Sequence, residues 1–270
     1  MPKIDIDKDI YDKWMVGGQT YKTARDLIAQ KMKADPNFIN FEENVVLVGY
    51  IETEQGPRPV YLQGASDVVA VSTTSKHVAA VIERGAPPAV GYCATIGGQL
   101  EKGQSGAPDK VHINGFDELF QESGLKPEDF ELVSIGQRRI VEGDMRIEKR
   151  AGANTGIPQN AIYLMVSTPL FLKTEKPFTK MTTENEVDEG ARRALKIGIH
   201  DLRDKQFGIA EHTRIIREGL TACGLGHLLH KSFGMNPDFD VRRNKMAALI
   251  PPMKKWPAVA RRVLAGNKPA

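Results

Sequence analysis

Three runs rich in β-branched residues, NVVLVGYIE (44 to 52), RPVYLQG (58 to 64) and DVVAVST (67 to 73), follow one another with only Gly, Pro and polar turns between them. Val and Ile pack well on a pleated backbone, so such runs form strands, and their close spacing makes them neighbours in an antiparallel sheet. AVGYCAT (89 to 95) and AIYLMVSTPLFLK (161 to 173) add further strands. Whatever else the chain contains must pack on that sheet.

Helical spacing surrounds these runs. Ala24, Leu27, Ile28 and Met32 recur as one face of a helix over about residues 21 to 33. Asp35-Pro36-Asn37 closes it, because a residue before proline is pushed out of the helical region. SKHVAAVIERG (75 to 85) reads as a helix with Ser75 as N-cap, Val78, Val81 and Ile82 on the buried side, and Gly85 as its stop. Beyond residue 183, Val187, Ala191, Leu195, Ile199 and Leu202 form a helical stripe behind a capping box at Thr183 to Glu186. A further helix is expected from Ile209 to about Thr221, with Ile209, His212, Ile215, Ile216 and Leu220 on one side. PAVARRVL (257 to 264) supplies a short last helix with Pro257 in its first turn.

Strands first and helices after predict an α+β fold: a largely antiparallel sheet core with flanking helices, followed by a helical C-terminal region. The expected division is a mixed α+β body over residues 1–174 and a helical region with a basic tail over 183–270. TEKPFTKMTTEN (174 to 185) separates the two. Two other segments, IGGQLEKGQSGAPDK (96 to 110) and AGANTGIPQN (151 to 160), read as loops longer than the usual connection of about six residues, a length that usually marks function.

Two cysteines without paired spacing exclude a disulfide framework and a cysteine zinc site, and predict a reducing compartment. The N-terminal stretch is charged from the start, and no run approaches the length of a membrane span. A cytoplasmic protein with no membrane partner is the expectation.

The net charge of +3 conceals an uneven distribution. Residues 241 to 270 hold Arg242, Arg243, Lys245, Lys254, Lys255, Arg261, Arg262 and Lys268 and no acidic residue. Removing these eight from the 37 Lys and Arg leaves 29 against 34 Asp and Glu in the first 240 residues. A basic tail on an acidic body suggests an anionic partner, although a solvated tail is the plainer alternative. QRRIVEGDMRIEKR (137 to 150) reads as a basic hairpin about Glu-Gly-Asp. With a side-chain period of two, Arg146 and Arg150 share one face and Lys149 the other, while Arg138 and Arg139 stand on opposite faces of the first strand. A two-stranded arm of this kind can lie on a phosphate backbone, or it is an edge hairpin neutralised by Glu142, Asp144 and Glu148.

Catalytic constellations are weak. Cys93 at a strand end could act as a nucleophile if His112 or His77 took its proton, but a cysteine packed as a small hydrophobe is commoner. The glycines after Cys93 could cradle phosphate only if a helix began at once, and a fifteen-residue loop is expected there instead. GLGHLLH (224 to 230) departs from a dinucleotide fingerprint in its third glycine. His227 and His230, beside His200 or His212, lack a carboxylate at metal-site spacing, and His200-Asp201 has no identifiable partners. No cofactor or metal is expected. Sparse aromatics argue against base stacking, so any nucleic acid would be held by its backbone with little sequence specificity.

The residues together predict a non-enzymatic, nucleic-acid-associated structural subunit of a multimeric assembly, such as a filament, ribonucleoprotein or viral or phage particle. Its phosphate contacts would be Arg138, Arg139, Arg146, Lys149, Arg150, Arg242, Arg243, Lys254, Lys255, Arg261 and Arg262, and its other partners copies of itself. The alternatives are a cytoplasmic enzyme with Cys93 and His112 under the 96 to 110 loop, and a protein scaffold that uses the same surfaces without nucleic acid.

Overall fold

The computed structural model of the chain describes residues 22–35, 45–54, 56–74, 77–84, 92–100, 108–141, 161–178, 181, 191–205, 207, 210–231 and 233. The elements in order are α1 (Lys22–Ala34), β1 (Val45–Thr53), β2 (Gly56–Ser72), β3 (Val78–Arg84), β4 (Cys93–Ala94), β5 (Ile96–Gln99) and α2 (Pro108–Ser123). There follow β6 (Glu131–Ile135), β7 (Arg139–Val141), β8 (Ile162–Thr174), β9 (Ala191–Gly198) and α3 (Ala210–Ala222). Short 3-10 turns stand at Pro127–Asp129, Ile199–Asp204 and Gly226–Leu228.

The fold is α+β: one mixed sheet with helices on its faces. Its spine is the pair β2 and β8, which run parallel and in register from Val60 opposite Ile162 to Ser72 opposite Thr174. The other described strand pairs are antiparallel. Along its second edge β2 meets β1, then β5, then β3, while β8 meets β7 and β6. The runs at 58–64 and 67–73 are thus one strand. Gly64 to Ser66 stay in the ladder with β8 and make no turn.

Alternation along the spine sorts side chains onto two faces. Val68 and Ala70 of β2, Ala80 and Ile82 of β3, and Leu170 and Leu172 of β8 bury against Leu119 of α2. Their neighbours Val69, Val71, Ala79, Val81 and Phe171 bury against Ile215, Ile216 and Leu220 of α3. The sheet is therefore covered on both sides, which is why DVVAVS and YLMVSTPLFL are apolar almost without interruption. A third core joins Ala24 and Ile28 of α1 to Val48, Val60, Leu62, Ile162 and Leu164 at the other end of the spine.

Three expectations are corrected. Residues 75–85 hold a strand, not a helix: β3 is bonded to β9 along its length on one edge and to β2 and β4 on the other, and its Val and Ile serve both faces. Among its described residues the 187–202 stripe likewise gives no α-helix. Residues 191–198 are β9, and a 3-10 turn follows. Here pairing along a sheet edge overrides a spacing that fits either period. The 96–110 segment is not one loop, since its first four residues are β5 and α2 begins at Pro108. Helix α2 itself was not anticipated. The outer part of the basic hairpin, the 151–160 loop and the C-terminal tail lie outside the described residues. Among the described residues no helix is long and apolar enough to cross a membrane.

Candidate active site

Helix α2 buries Val111, Asn114, Leu119, Glu122 and Ser123, a stripe at helical spacing in which three of the five side chains are polar. Two of its glutamates reach β5. Glu122 is buried, and its Oε2 accepts a hydrogen bond of 2.8 Å from the Gly97 N–H. Glu118, one turn earlier, lies flat against Gly98, where an added Cβ would overlap its carboxylate. An added Cβ on Gly97 would meet the Ser66 carbonyl of β2 in the same way. The Gly-Gly step therefore lets β5 sit close to both β2 and the helix, and it brings two carboxylates to consecutive backbone units. Gly97, Gly98, Gln99 and Glu118 are half-buried, so solvent reaches Glu118 while Glu122 stays buried.

Polar side chains join α2 to β5 and β2 beside it. The Ser66 hydroxyl donates to Asn114 Oδ1, the Asn114 amide donates to the Gln99 carbonyl at 3.2 Å, and Gln63 Nε2 donates to Gln99 Oε1 at 3.1 Å. Such bonds satisfy buried amides and hold α2 in a fixed rotation over the strand.

On the opposite face Asp67, Thr95 and His212 form a second buried cluster. The Thr95 hydroxyl donates to Asp67 Oδ1, the Thr95 N–H donates to His212 Nδ1 at 3.3 Å, and His212 Nε2 lies 3.6 Å from the same carboxylate oxygen. An accepting Nδ1 places the proton of the neutral ring on Nε2, toward Asp67. Burial pushes the His212 pKa down from 6.5, opposed by Asp67 and reinforced by Arg84. The unfolded imidazole then takes a proton at a pH where the folded one stays neutral, so this contribution to stability is full above about pH 6.5 and lost as pH falls below it. Urea melts between pH 5 and 8 should show that loss, and His212→Gln should flatten it.

The residues singled out from the sequence fall elsewhere. Cys93 is buried in the core on the α3 side, and burial raises its thiol pKa, with Lys205 and Arg193 opposing and Glu83 adding. His112 stands on α2, on the other side of the sheet, edge-on to Phe116 at 5.7 Å. The Cys93–His112 enzyme is corrected on that geometry: a desolvated thiol without its base is no nucleophile. The native protein should accordingly resist alkylation at neutral pH at both cysteines, since burial also pushes Cys223 up to about 11. Labelling by iodoacetamide should appear only on denaturation.

His227 and His230 are exposed, and among the described residues no three His, Cys, Asp or Glu side chains cluster as metal ligands. GLGHLLH is a helix end: Gly224, with φ of +77°, follows α3, and the Leu225 N–H donates to the Leu220 carbonyl at 2.7 Å. Of the proposed phosphate contacts, Arg139 pairs with Glu218 of α3 at 2.6 Å. Arg138 is half-buried, and desolvation lowers its pKa. Arg146, Lys149, Arg150, Arg242, Arg243, Lys254, Lys255, Arg261 and Arg262 lie outside the described residues.

No protein-family model and no curated protein matches the chain. Among solved structures it is similar to the NUDIX domain of Shewanella oneidensis NrtR complexed with ADP ribose, at 10% identity and a TM-score of 0.41 over 59% of this chain and 87% of that one. It is similar to a C. elegans Ap4A hydrolase in a binary complex, at 11% identity and a TM-score of 0.41 over 60% and 97%. It is also similar to S. oneidensis NrtR complexed with a 27mer DNA, at 12% identity and a TM-score of 0.35 over 74% and 82%. At such values the likeness assigns neither family nor activity. These proteins are described as a hydrolase and a NUDIX protein, seen once with ADP ribose and once with DNA. The expectation of a non-enzymatic structural subunit of an assembly is corrected on these descriptions, while nucleic acid is a partner of one of the neighbours.

Proposed function

We propose that the chain is a divalent-cation-dependent hydrolase of phosphoanhydrides, with Glu118 and Glu122 as its acidic pair. The observation that supports this reading is the placement of both carboxylates, one turn apart on α2, against the Gly97–Gly98 backbone of β5. Like charges at this helical spacing repel one another, and a cation relieves the repulsion. The donor set suits a hard ion. Magnesium is commonly held by one or two carboxylates, with water and substrate phosphate oxygens completing its shell, so two glutamates suffice. When bound, such an ion neutralises phosphate charge and makes water a better nucleophile.

The chain's own groups divide the remaining work. Glu122, fixed by the Gly97 N–H, has one orientation and serves as the anchoring ligand. Glu118, the more exposed of the two, can hold the ion or take a proton from the attacking water. Asn114, bonded to both β2 and β5, keeps the helix from turning away.

Calorimetric titration of Mn²⁺ into the full chain tests the acidic pair without any substrate. Saturable binding to the wild type, lost in Glu118→Gln/Glu122→Gln, is the expected result. Equal binding by the variant would remove the pair from any metal site.

A further inference from the structure

A groove of about 540 Å³ lies between β6, β7 and α3, on the face of the sheet opposite Glu118 and Glu122. Among the described residues three guanidinium groups line it, Arg139, Arg214 and Arg217, against one carboxylate, that of Glu218. That carboxylate is already engaged: it accepts from Arg139 at 2.6 Å and from the Gln137 N–H at 3.0 Å. Arg217 donates to the Phe233 carbonyl, which brings no charge to offset it. Arg214 is balanced only from outside the lining, by Glu211 at 2.7 Å, and its side chain is 64% exposed. The described lining residues thus carry an excess of positive charge.

Beside the groove, the Arg139 Nε and the Ser167 hydroxyl across the β7–β8 ladder are buried without a hydrogen-bond partner among the described residues, and Ser167 does not line the groove. At the rim Ile135 is 41% exposed and offers apolar contact.

We infer that this groove binds a phosphate-bearing small molecule, its phosphate held by Arg214 and Arg217 and its carbon part lying over Ile135. Guanidinium forks match phosphate oxygens two at a time, and the volume is in the range of small-molecule sites. Because the sheet separates the groove from the acidic pair, the ligand here is not the bond being cleaved. The site stands whether or not the hydrolase reading does.

The test is calorimetric titration of the full chain with phenyl phosphate, in EDTA and at fixed sodium chloride. One saturable site is expected, with inorganic phosphate binding more weakly for want of the ring. Arg214→Ala, at an exposed position that leaves the fold intact, should weaken binding several-fold. Arg214→Ala/Arg217→Ala should weaken it about tenfold or more, with a thermal melt to verify folding. Glu118→Gln/Glu122→Gln should bind as the wild type does. Absence of saturable binding, or arginine variants that bind like the wild type, would overturn the inference. So would loss of binding in the glutamate variant, which would move the phosphate to the other face.

Discussion

If the chain is the hydrolase proposed above, Glu122→Gln should lower phosphoanhydride hydrolysis about a hundredfold or more while leaving the melting temperature nearly unchanged. The amide keeps the size of the carboxylate, and its carbonyl oxygen still accepts the Gly97 N–H, so the contact between helix and strand survives. What it removes is a formal charge at the point where a cation would be held, and stabilisation of charge in a water-poor site is typically worth several kcal/mol of barrier. Gly98→Ala separates position from chemistry. Its methyl group would displace the Glu118 carboxylate while every charge is kept, so activity should fall without loss of the acidic pair. Initial rates with melting curves for the two variants distinguish a lost charge from a misplaced one. If Glu122→Gln kept full activity, the acidic pair would be structural.

Phe171→Ala should be among the most destabilising single substitutions in the protein, by about 3 to 5 kcal/mol. The ring is 1% exposed and lies at the centre of the core beneath α3. It is enclosed by two glycines: a Cβ at Gly136 would overlap its tip, and a Cβ at Gly219 would come within 2.8 Å of its edge. Neither glycine can spread into the space that truncation leaves, so the cavity stays open and its lining loses contacts. Urea denaturation of the variant measures the effect, and a change of less than about 1 kcal/mol would mean that α3 settles onto the sheet. In that case helix α3 would carry Arg214 and Arg217 with it, and the variant would also weaken phenyl phosphate in the groove.

Much of the fold was legible because its strongest signals are buried on both sides. DVVAVS and YLMVSTPLFL are strands in the sequence and in the structure, and α1 and α3 end within a residue or two of where spacing and Asp35-Pro36 put them. The parallel alignment of β2 with β8 was not legible, since no local feature distinguishes a strand's partners across a hundred residues. Residues 75–85 and 187–202 misled for one physical reason. Val78, Val81 and Ile82 satisfy a helical period as well as a β one, and only the ladder from β3 to β9 decides between them.

The acidic pair was hidden more thoroughly. A helix is found by its apolar stripe, and α2 gives four of its six buried positions among the described residues to Asn114, Gly115, Glu122 and Ser123. The glycine-rich segment did stand out, but its strand and the start of the helix were both read as loop. The available signal was the order Gly97-Gly98 followed by Glu118 and Glu122 at a spacing of four, which carries meaning only once a helix is assigned there. The basic residues drew attention instead. Arg139, one of the two that the structure describes, ties β7 to α3 through Glu218.

The most direct test of the hydrolase account is phosphate and pyrophosphate release from a panel of nucleoside diphosphates, triphosphates and dinucleoside polyphosphates, with Mg²⁺ and with excess EDTA. The account predicts turnover of at least one phosphoanhydride that requires the divalent ion and disappears in Glu118→Gln/Glu122→Gln. Turnover that persists in EDTA, or that the double variant retains, would contradict it.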